Sequence, residues 1–327
     1  MVATSMKQKM LEMLNGQEGQ FVSGQKISEE LGCSRTAIWK HISELRKEGY
    51  EVEAVQKKGY RITSTPNHIT ANEVKLGLNT KHLGQNIVYQ ESVTSTQEIA
   101  HRLAYDDVPE GTIVTAEEQT AGKGRLGRNW HSPKTNGIWV SLILRPKIPP
   151  QQAPQLTLLA AVGVVKAIQK ETGVLAEIKW PNDVLVNGKK VVGILTELQA
   201  ESDQIKSVII GMGINVNTSA AEFPDDIKEK ATSLRIEAGK ELNRASLLRR
   251  ILEETETLYE EYLQNGFQVV KLLWESYAVS LGKHIKARTL TGVKEGIARG
   301  ITNDGVLLLE DDTGEIHQIY SADIEIC

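Results

Sequence analysis

Hydrophobic periodicity changes character twice along this chain, so no single class of secondary structure can account for it. From Ile27 to Leu45 apolar residues recur at helical spacing in two short runs broken at Gly32. Between residues 68 and 275 strand-like runs alternate with longer helical ones, the pattern of a mixed α/β domain. From residue 280 the pattern shortens to β runs between turn residues: His284 to Arg288, Glu295 to Ile301, Val306 to Leu309 and Ile316 to Tyr320. A small all-β barrel of about 45 residues is expected there. Three units follow, 1–65, 68–275 and 280–327. The polar stretch Thr63-Ser64-Thr65-Pro66-Asn67 reads as the first linker, since Pro and turn formers interrupt every apolar period.

Within the central unit, Ile87 to Tyr89, Thr112 to Thr115, Ile138 to Leu144 and Val208 to Ile210 read as strands. Val184 to Val186 and Val191 to Leu198 flank Asn187-Gly188, the strongest short hairpin signal. Two helices are clear by period. Leu156, Leu159, Ala160, Val164 and Ile168 share one face; Leu247, Leu248, Ile251, Leu252, Leu258, Tyr259 and Tyr262 share another. Thr218 to Lys230 has no sustained apolar period and is expected to be a loop that orders on ligand binding.

In the first unit, Ile27 and Leu31 lie four apart, Gly32 breaks the helix, and Ser34 is placed to cap a second. Ile38, Ile42 and Leu45 then face inward, leaving Arg35, Thr36, Lys40, Ser43, Arg46 and Lys47 to face outward. Two short helices joined by a tight Gly turn, the second with basic outward residues, form a helix-turn-helix. Glu51 to Val55, a turn through Lys57-Lys58, and Tyr60 to Ile62 add a hairpin with a doubly basic tip. Its lysines are suited to phosphate and the second helix to the major groove. A small helical adaptor with solvated basic faces is the alternative. Residues 35–61 hold seven Lys or Arg against four Glu, so non-specific affinity should be weak and salt-dependent. Trp39 can pack inward or stack on the sugar-phosphate surface.

The whole chain carries a net charge of −4, which excludes binding nucleic acid with its entire surface. The most apolar run, Leu158 to Val165, is too short to span a membrane, and the first ten residues lack the apolar core of a signal peptide. Cys33 and Cys327 lie at opposite ends and form no metal-binding or CxxC motif. A reducing, cytoplasmic location is expected.

Residues 118–131, EQTAGKGRLGRNWH, satisfy GxGxxG at Gly122, Gly124 and Gly127. The dinucleotide reading fails on context, because no apolar helix follows and no acidic strand end lies about 20 residues on. GxxxxGK[ST] is absent. What remains is three glycines interleaved with Lys123, Arg125 and Arg128. Glycines let backbone N–H groups approach an anion, and arginine grips carboxylate or phosphate bidentately. A flexible surface loop is the bland alternative. Lys179-Trp180-Pro181-Asn182-Asp183 sits between strand-like runs, with Lys179 suited to phosphate and Asp183 to Mg²⁺. The Asn187-Gly188 hairpin can return Lys190 to the same place. Gly211 to Asn217 ends another strand with glycines and asparagines. The seven histidines show no metal-ligand spacing, and no Ser-His-Asp or Cys-His site is legible. Positioned cations around an anion point to phosphoryl or acyl-phosphate chemistry.

Taken together, Ser95-Thr96-Gln97, Gln119 through Arg128, Lys179 to Asp183, Lys190 to Gly193 and Gly211 to Asn215 resemble the biotin protein ligases that also carry an N-terminal repressor domain. The resemblance covers nearly the whole chain. It implies a winged helix-turn-helix, a central α/β ligase domain of the class II synthetase-like type, and a C-terminal SH3-like barrel. It implies ATP and biotin as substrates, with Mg²⁺, giving biotinyl-5′-adenylate. Biotin then passes to a lysine of biotin carboxyl carrier protein. By the same resemblance, Ser95, Thr96, Gln97, Gln119, Lys123, Gly124, Arg125, Trp130, Lys190 and Gly193 would hold biotin. Arg125, Arg128, Lys179, Asn182 and Asn215 would hold the nucleotide. Lys190, Arg125 and Lys179 would carry the catalytic charge, and Asp183 would place Mg²⁺. Ser34, Arg35, Thr36, Lys40, Ser43, Arg46, Lys57 and Lys58 would meet operator DNA, read as an inverted repeat by an adenylate-bound homodimer. The family's Ser-Thr-Asn appears here with Gln97, and its Gly-Arg-Gly-Arg with Lys123, which keeps the charge but loses the fork. A lipoate-attaching enzyme and a non-catalytic sensor are the rival readings.

Overall fold

The computed structural model describes residues 6–15, 20–201 and 204–327. In the N-terminal unit, α1 (Met6–Asn15), α2 (Gly24–Leu31) and α3 (Arg35–Lys47) precede a hairpin of β1 (Glu51–Val55) and β2 (Gly59–Ser64). Gly32 takes the left-handed conformation (φ +62°) that ends α2, as its sequence position requires. Ser34 accepts the Ala37 N–H at 3.2 Å and caps α3. Ile27, Ile38, Ile42 and Leu45 pack with Met10, Leu11 and Tyr50 into one small core. α1 was not read from the sequence.

The central unit contains α4 (Ala71–Lys75), β3 (Ile87–Val93), α5 (Thr96–Tyr105), β4 (Ile113–Gln119), β5 (Gly137–Leu144), α6 (Ala153–Thr172), β6 (Glu177–Lys179), β7 (Asp183–Val186), β8 (Lys189–Glu201), β9 (Gln204–Asn215), α7 (Leu234–Ala238), α8 (Arg244–Asn265) and α9 (Gln268–Tyr277). One seven-stranded sheet runs in the order β3-β4-β5-β9-β8-β7-β6. The β3–β4 pair is parallel and the remaining pairs antiparallel. β5, the apolar IWVSLIL run, is buried along its whole length. α5 packs Ala100 and Ala104 against Val114, Ile143 and Ile209 on one face of the sheet. α6 lies on the other face beside α8. Its apolar stripe proves wider than the five positions read from the sequence, because Leu158 and Val165 are buried as well. The C-terminal unit supplies part of the cover: the Gly305 backbone approaches Leu158 and accepts the Trp180 indole N–H at 3.1 Å.

That C-terminal unit is a five-stranded antiparallel sheet of β10 (His284–Thr289), β11 (Gly292–Ile301), β12 (Leu307–Glu310), β13 (Ile316–Ile319) and β14 (Asp323–Ile326), ordered β13-β12-β11-β10-β14. β14 went unread because four residues carry too little alternation to stand out.

The stretch expected to be a linker is not free. Thr63 and Ser64 end β2, and Asn67 is clipped to the central unit: its Nδ2 donates to the Leu242 carbonyl at 2.9 Å, and its Oδ1 accepts the Arg244 N–H at 2.9 Å. Leu76, just past α4, joins the core of the N-terminal unit. Polar residues that look like a spacer locally are fastened here by partners about 175 positions away, which no local pattern reports.

Candidate active site

Strand ends and the glycine-basic loop converge on a single cavity of about 610 Å³. Every ligase residue expected from the sequence lines it: Ser95, Thr96, Gln97, Gln119, Lys123, Gly124, Arg125, Arg128, Trp130, Lys179, Asn182, Asp183, Lys190, Gly193 and Asn215. They arrive from five separate segments. Ser95 caps α5 by accepting the Gln97 N–H at 3.2 Å, which sets Thr96 and Gln97 at the mouth of that helix. The sequence signal for α5 was available but unused: Ser95 precedes Ile99, Ala100, Leu103 and Ala104 at helical spacing.

The floor is glycine. Gly193 on β8 and Gly213 on β9 are paired across the sheet, and the Trp130 indole lies on both. A Cβ at Gly213 would meet Trp130 Nε1 at 2.3 Å, and one at Gly193 would meet Cζ3 at 2.8 Å. A flat aromatic ring can lie on two strands only where side chains are missing. Trp130 thus forms an apolar wall, with Lys190 Nζ 5.2 Å from its ring centroid.

A second wall is cationic, and Lys190, Lys123, Arg125 and Arg128 on it each have an internal partner. Lys190 Nζ lies 2.6 Å from Asp183 Oδ1, and Lys123 Nζ lies 2.7 Å from Glu98 Oε1. Arg125 Nη1 donates to Asn182 Oδ1 at 2.9 Å and its Nη2 to Ser321 Oγ at 3.0 Å. Burial pulls its guanidinium down from the ordinary arginine value, yet it stays charged. Arg128 pairs with Asp323. Ser321 and Asp323 come from the C-terminal unit, so that unit holds the glycine-basic loop in place. Asn182 Nδ2 donates to the Ile194 carbonyl at 2.8 Å and Asn215 Nδ2 to the Thr232 carbonyl at 3.1 Å.

Two site residues were missed: Ser141 borders the cavity and Ser132 joins its hydrogen-bond network. Phe223, Asp226, Ile227, Glu229 and Lys230, from the stretch expected to be a loop, border the cavity too. Ser141 did leave a signal: it is the one polar residue in the apolar IWVSLIL run. The Thr218 to Lys230 stretch is held beside β8 by Lys190 N–H to the Lys230 carbonyl (2.8 Å) and Thr232 N–H to the Lys190 carbonyl (2.9 Å). His317 lies with Asp311 and Glu315 in one surface cluster of the C-terminal unit. The Asp311 carboxylate there already caps a turn through Thr313 and Glu315.

On the N-terminal unit, Arg35, Thr36 and Lys40 are exposed along α3, and Lys57 and Lys58 are exposed at the hairpin tip. Trp39 is 62% exposed, which resolves its ambiguity in favour of the outer surface. Ser34 is engaged as a cap, and the Ser43 hydroxyl donates to the Trp39 carbonyl at 2.9 Å. Arg46 is directed elsewhere: its Nε and Nη2 donate to the Val52 carbonyl at 3.2 and 2.7 Å, bracing α3 against β1.

Comparison with known proteins matches three family models along the chain. Residues 89–215 match the Biotin/lipoate A/B protein ligase family, residues 7–61 an HTH domain, and residues 280–326 the Biotin protein ligase C terminal domain. The chain is 54% identical over 323 residues to the Bifunctional ligase/repressor BirA of Bacillus subtilis, covering 99% of both chains. To the protein of that name in Escherichia coli it is 31% identical, covering 90% of this chain and 89% of the other. A biotin protein ligase from Aquifex aeolicus, solved in complex with biotin and ATP, superposes with a TM-score of 0.65 at 32% identity. That match covers 74% of this chain and 99% of the other. With relatives aligned along almost its whole length, the chain belongs to the family of bifunctional ligase/repressors built on the biotin protein ligase fold.

Proposed function

We propose that this protein activates biotin with ATP, transfers it to a lysine of biotin carboxyl carrier protein, and represses biotin-synthesis genes with the adenylate as corepressor. The observation that carries the reading is the convergence of Lys123, Arg125, Arg128, Lys179 and Lys190 on one cavity that also offers an aromatic wall and a hydrogen-bonding floor.

The first step joins two anions. The biotin carboxylate attacks the α-phosphate of ATP, an oxygen–phosphorus bond forms, and pyrophosphate leaves. Charge repulsion opposes the encounter, and fixed cations in a partly desolvated cleft relieve it. Arg125, held by Asn182 and Ser321, is aimed before substrate arrives. Lys190 and Lys123 exchange an internal carboxylate for a substrate anion as it enters. Lys179, Arg128 and Asn215 would contact the nucleotide, Trp130 would cover the biotin ring, and Ser95, Thr96 and Gln119 would hydrogen-bond it. Asp183 offers one carboxylate, which suits an ion such as Mg²⁺ that is held mainly by water and phosphate. The ion would neutralise phosphate charge there. In the second step the carrier lysine amine attacks the acyl carbonyl of the mixed anhydride, and AMP leaves with the bonding pair.

For the repressor role, α3 and the Lys57-Lys58 tip supply a major-groove helix and phosphate contacts. A homodimer would read an inverted repeat. The adenylate shifts that equilibrium only through differential affinity for the two states. Pyrophosphate release from ATP, measured with biotin and with lipoate as control, tests the ligase reading. Biotin-dependent release is expected. Release with lipoate alone would transfer the assignment to that acid.

A further inference from the structure

Much of the polar surface of α3 is already engaged inside the N-terminal unit. Ser34 Oγ accepts the Ala37 N–H at 3.2 Å as the helix cap, and the Ser43 hydroxyl turns back to donate to the Trp39 carbonyl at 2.9 Å. Arg46 reaches the Val52 carbonyl through Nε and Nη2 at 3.2 and 2.7 Å. His41 Nδ1 lies 3.1 Å from Glu44 Oε2. Over residues 35–41 the exposed side chains are Arg35, Thr36, Trp39 and Lys40. Trp39 is the largest of these and the one apolar group among them.

An indole held in water is an unfavourable surface group. The other tryptophans avoid it: Trp139, Trp180 and Trp274 are at most 3% exposed, and Trp130 lies on the glycine floor. Trp39 is 62% exposed. The inward stripe of α3 is complete without it, since Ile38, Ile42 and Leu45 are each no more than 1% exposed. Packing therefore gives the ring no role. Its neighbours one helical turn back are Arg35 and Thr36, and Lys40 follows it; none is acidic. Lys57 and Lys58 add exposed cations at the hairpin tip. An apolar ring framed by cations complements a polyanion that displays apolar groups. Duplex DNA does so in its major groove, where the thymine C5-methyl is the apolar feature of the base-pair edges. A recognition helix presents its N-terminal part to those edges, and Trp39 lies in the first half of α3.

We propose that Trp39 is a base-reading residue: its indole packs against a thymine C5-methyl in the major groove of each operator half-site. The proposal rests on the repressor reading above and adds the group that reads that base pair. Cations beside the ring meet phosphate, which fixes register and carries no sequence information. The ring contact does depend on sequence, whereas an indole stacked on the sugar-phosphate surface would not. Uracil pairs as thymine does and lacks only the methyl, so exchanging the two isolates the ring contact from the charge contacts.

The test uses the full-length protein with biotin, ATP and Mg²⁺, and a duplex that the wild-type chain selects from a random-sequence library. Each thymine of that duplex is replaced in turn by uracil, symmetrically in both half-sites. Binding of wild type, Trp39→Ala and Trp39→Phe is followed by the anisotropy of a labelled duplex, and each variant is checked for a cooperative thermal transition. At one thymine position per half-site, uracil is expected to weaken wild type by about fourfold for each methyl lost and to leave Trp39→Ala within about twofold. That cycle assigns the coupling to the pair. Trp39→Phe keeps a ring and should keep the thymine preference. On an unselected duplex, Trp39→Ala should stay within about twofold of wild type, because charge supplies non-specific binding. Wild type indifferent to uracil at every position, Trp39→Ala with undiminished discrimination, or equal losses on selected and unselected duplexes would overturn the proposal and leave the repressor reading standing. Wild type that selects no duplex would overturn both. If Trp39→Ala does not fold, Trp39→Gln carries the same comparison.

Discussion

Arg244 and Glu117 form a buried ion pair, Nη1 to Oε2 2.8 Å, where the chain passes from the N-terminal to the central unit. Arg244 Nη1 also donates to the Gly137 carbonyl at 3.0 Å, and Nη2 donates to the Asn67 carbonyl. Glu117 Oε1 accepts the Ile69 N–H at 3.1 Å. Gly137 pairs with Asn215 across β5 and β9, and Glu117 lies two residues before Gln119 on β4. One ion pair therefore fastens the inter-unit segment to two strands that border the cavity. Replacing a single partner strands the other charge in the interior, at a cost of about 3–5 kcal/mol. Arg244→Met should lose that much in urea unfolding. A loss below about 1 kcal/mol would show that the pair adds little beyond its own desolvation.

Tyr50 donates its phenol hydrogen to Glu73 across the boundary between α3 and α4. Burial, then the hydrogen bond to that carboxylate, holds the phenol well above the ordinary tyrosine range. The second oxygen of Glu73 has no partner, so Tyr50→Phe removes the only donor found for a buried carboxylate side chain among the described residues. Stability should fall by about 1–3 kcal/mol, read from the urea midpoint. An unchanged midpoint would contradict the assignment.

The glycine floor predicts a steric result. Gly213→Ala would place a methyl 2.3 Å from Trp130 Nε1, and the indole must leave the sheet. Overpacking of this kind costs about 1–3 kcal/mol. Biotin affinity should drop by roughly tenfold, with a changed tryptophan emission. Wild-type affinity in this variant would mean that the wall forms without the glycine.

Glu98 is held below its ordinary value of 4.5 by the hydrogen bond from Lys123, then by Thr94. A carboxylate with a lowered folded pKa contributes stability above its unfolded pKa and loses it as pH falls through the folded one. Both side chains are largely exposed, so the effect on stability stays within about 0.5 kcal/mol. The direct readout is the Glu98 carboxyl titration by NMR. Its midpoint should lie below 4.5 and rise in Lys123→Met; a midpoint that does not move would remove Lys123 as the cause.

At the N-terminal unit the two kinds of basic residue should separate. Lys57→Gln and Lys58→Gln should each reduce the salt slope of operator binding by about 1. Arg46→Gln should leave that slope alone and instead lower stability by about 1 kcal/mol, because its guanidinium bonds to the Val52 carbonyl. A salt slope that falls with Arg46→Gln would place this arginine on the DNA.

Local pattern was enough for the parts of this protein governed by neighbours in the chain. Ser34 and Gly32 bound α3 and α2 because capping and left-handed turns need those residue types at those positions. Asn187-Gly188 turns β7 into β8, and both residues take positive φ. The glycine-basic loop and the Lys179 to Asp183 segment carried their charges in plain view, and so indicated the chemistry. What the sequence left undecided was everything set by distant partners. Asn67 looked like a spacer until Leu242 and Arg244 were brought to it. Asp323 and Ser321 gave no sign of reaching Arg128 and Arg125 from the last unit. Gln97 read as an irregular signature residue until Ser141 and Ile209, on separate strands, supplied the two ends of its amide. Backbone preference and burial periodicity act over a few residues, whereas hydrogen bonds and ion pairs at a site join whichever segments the sheet order places side by side.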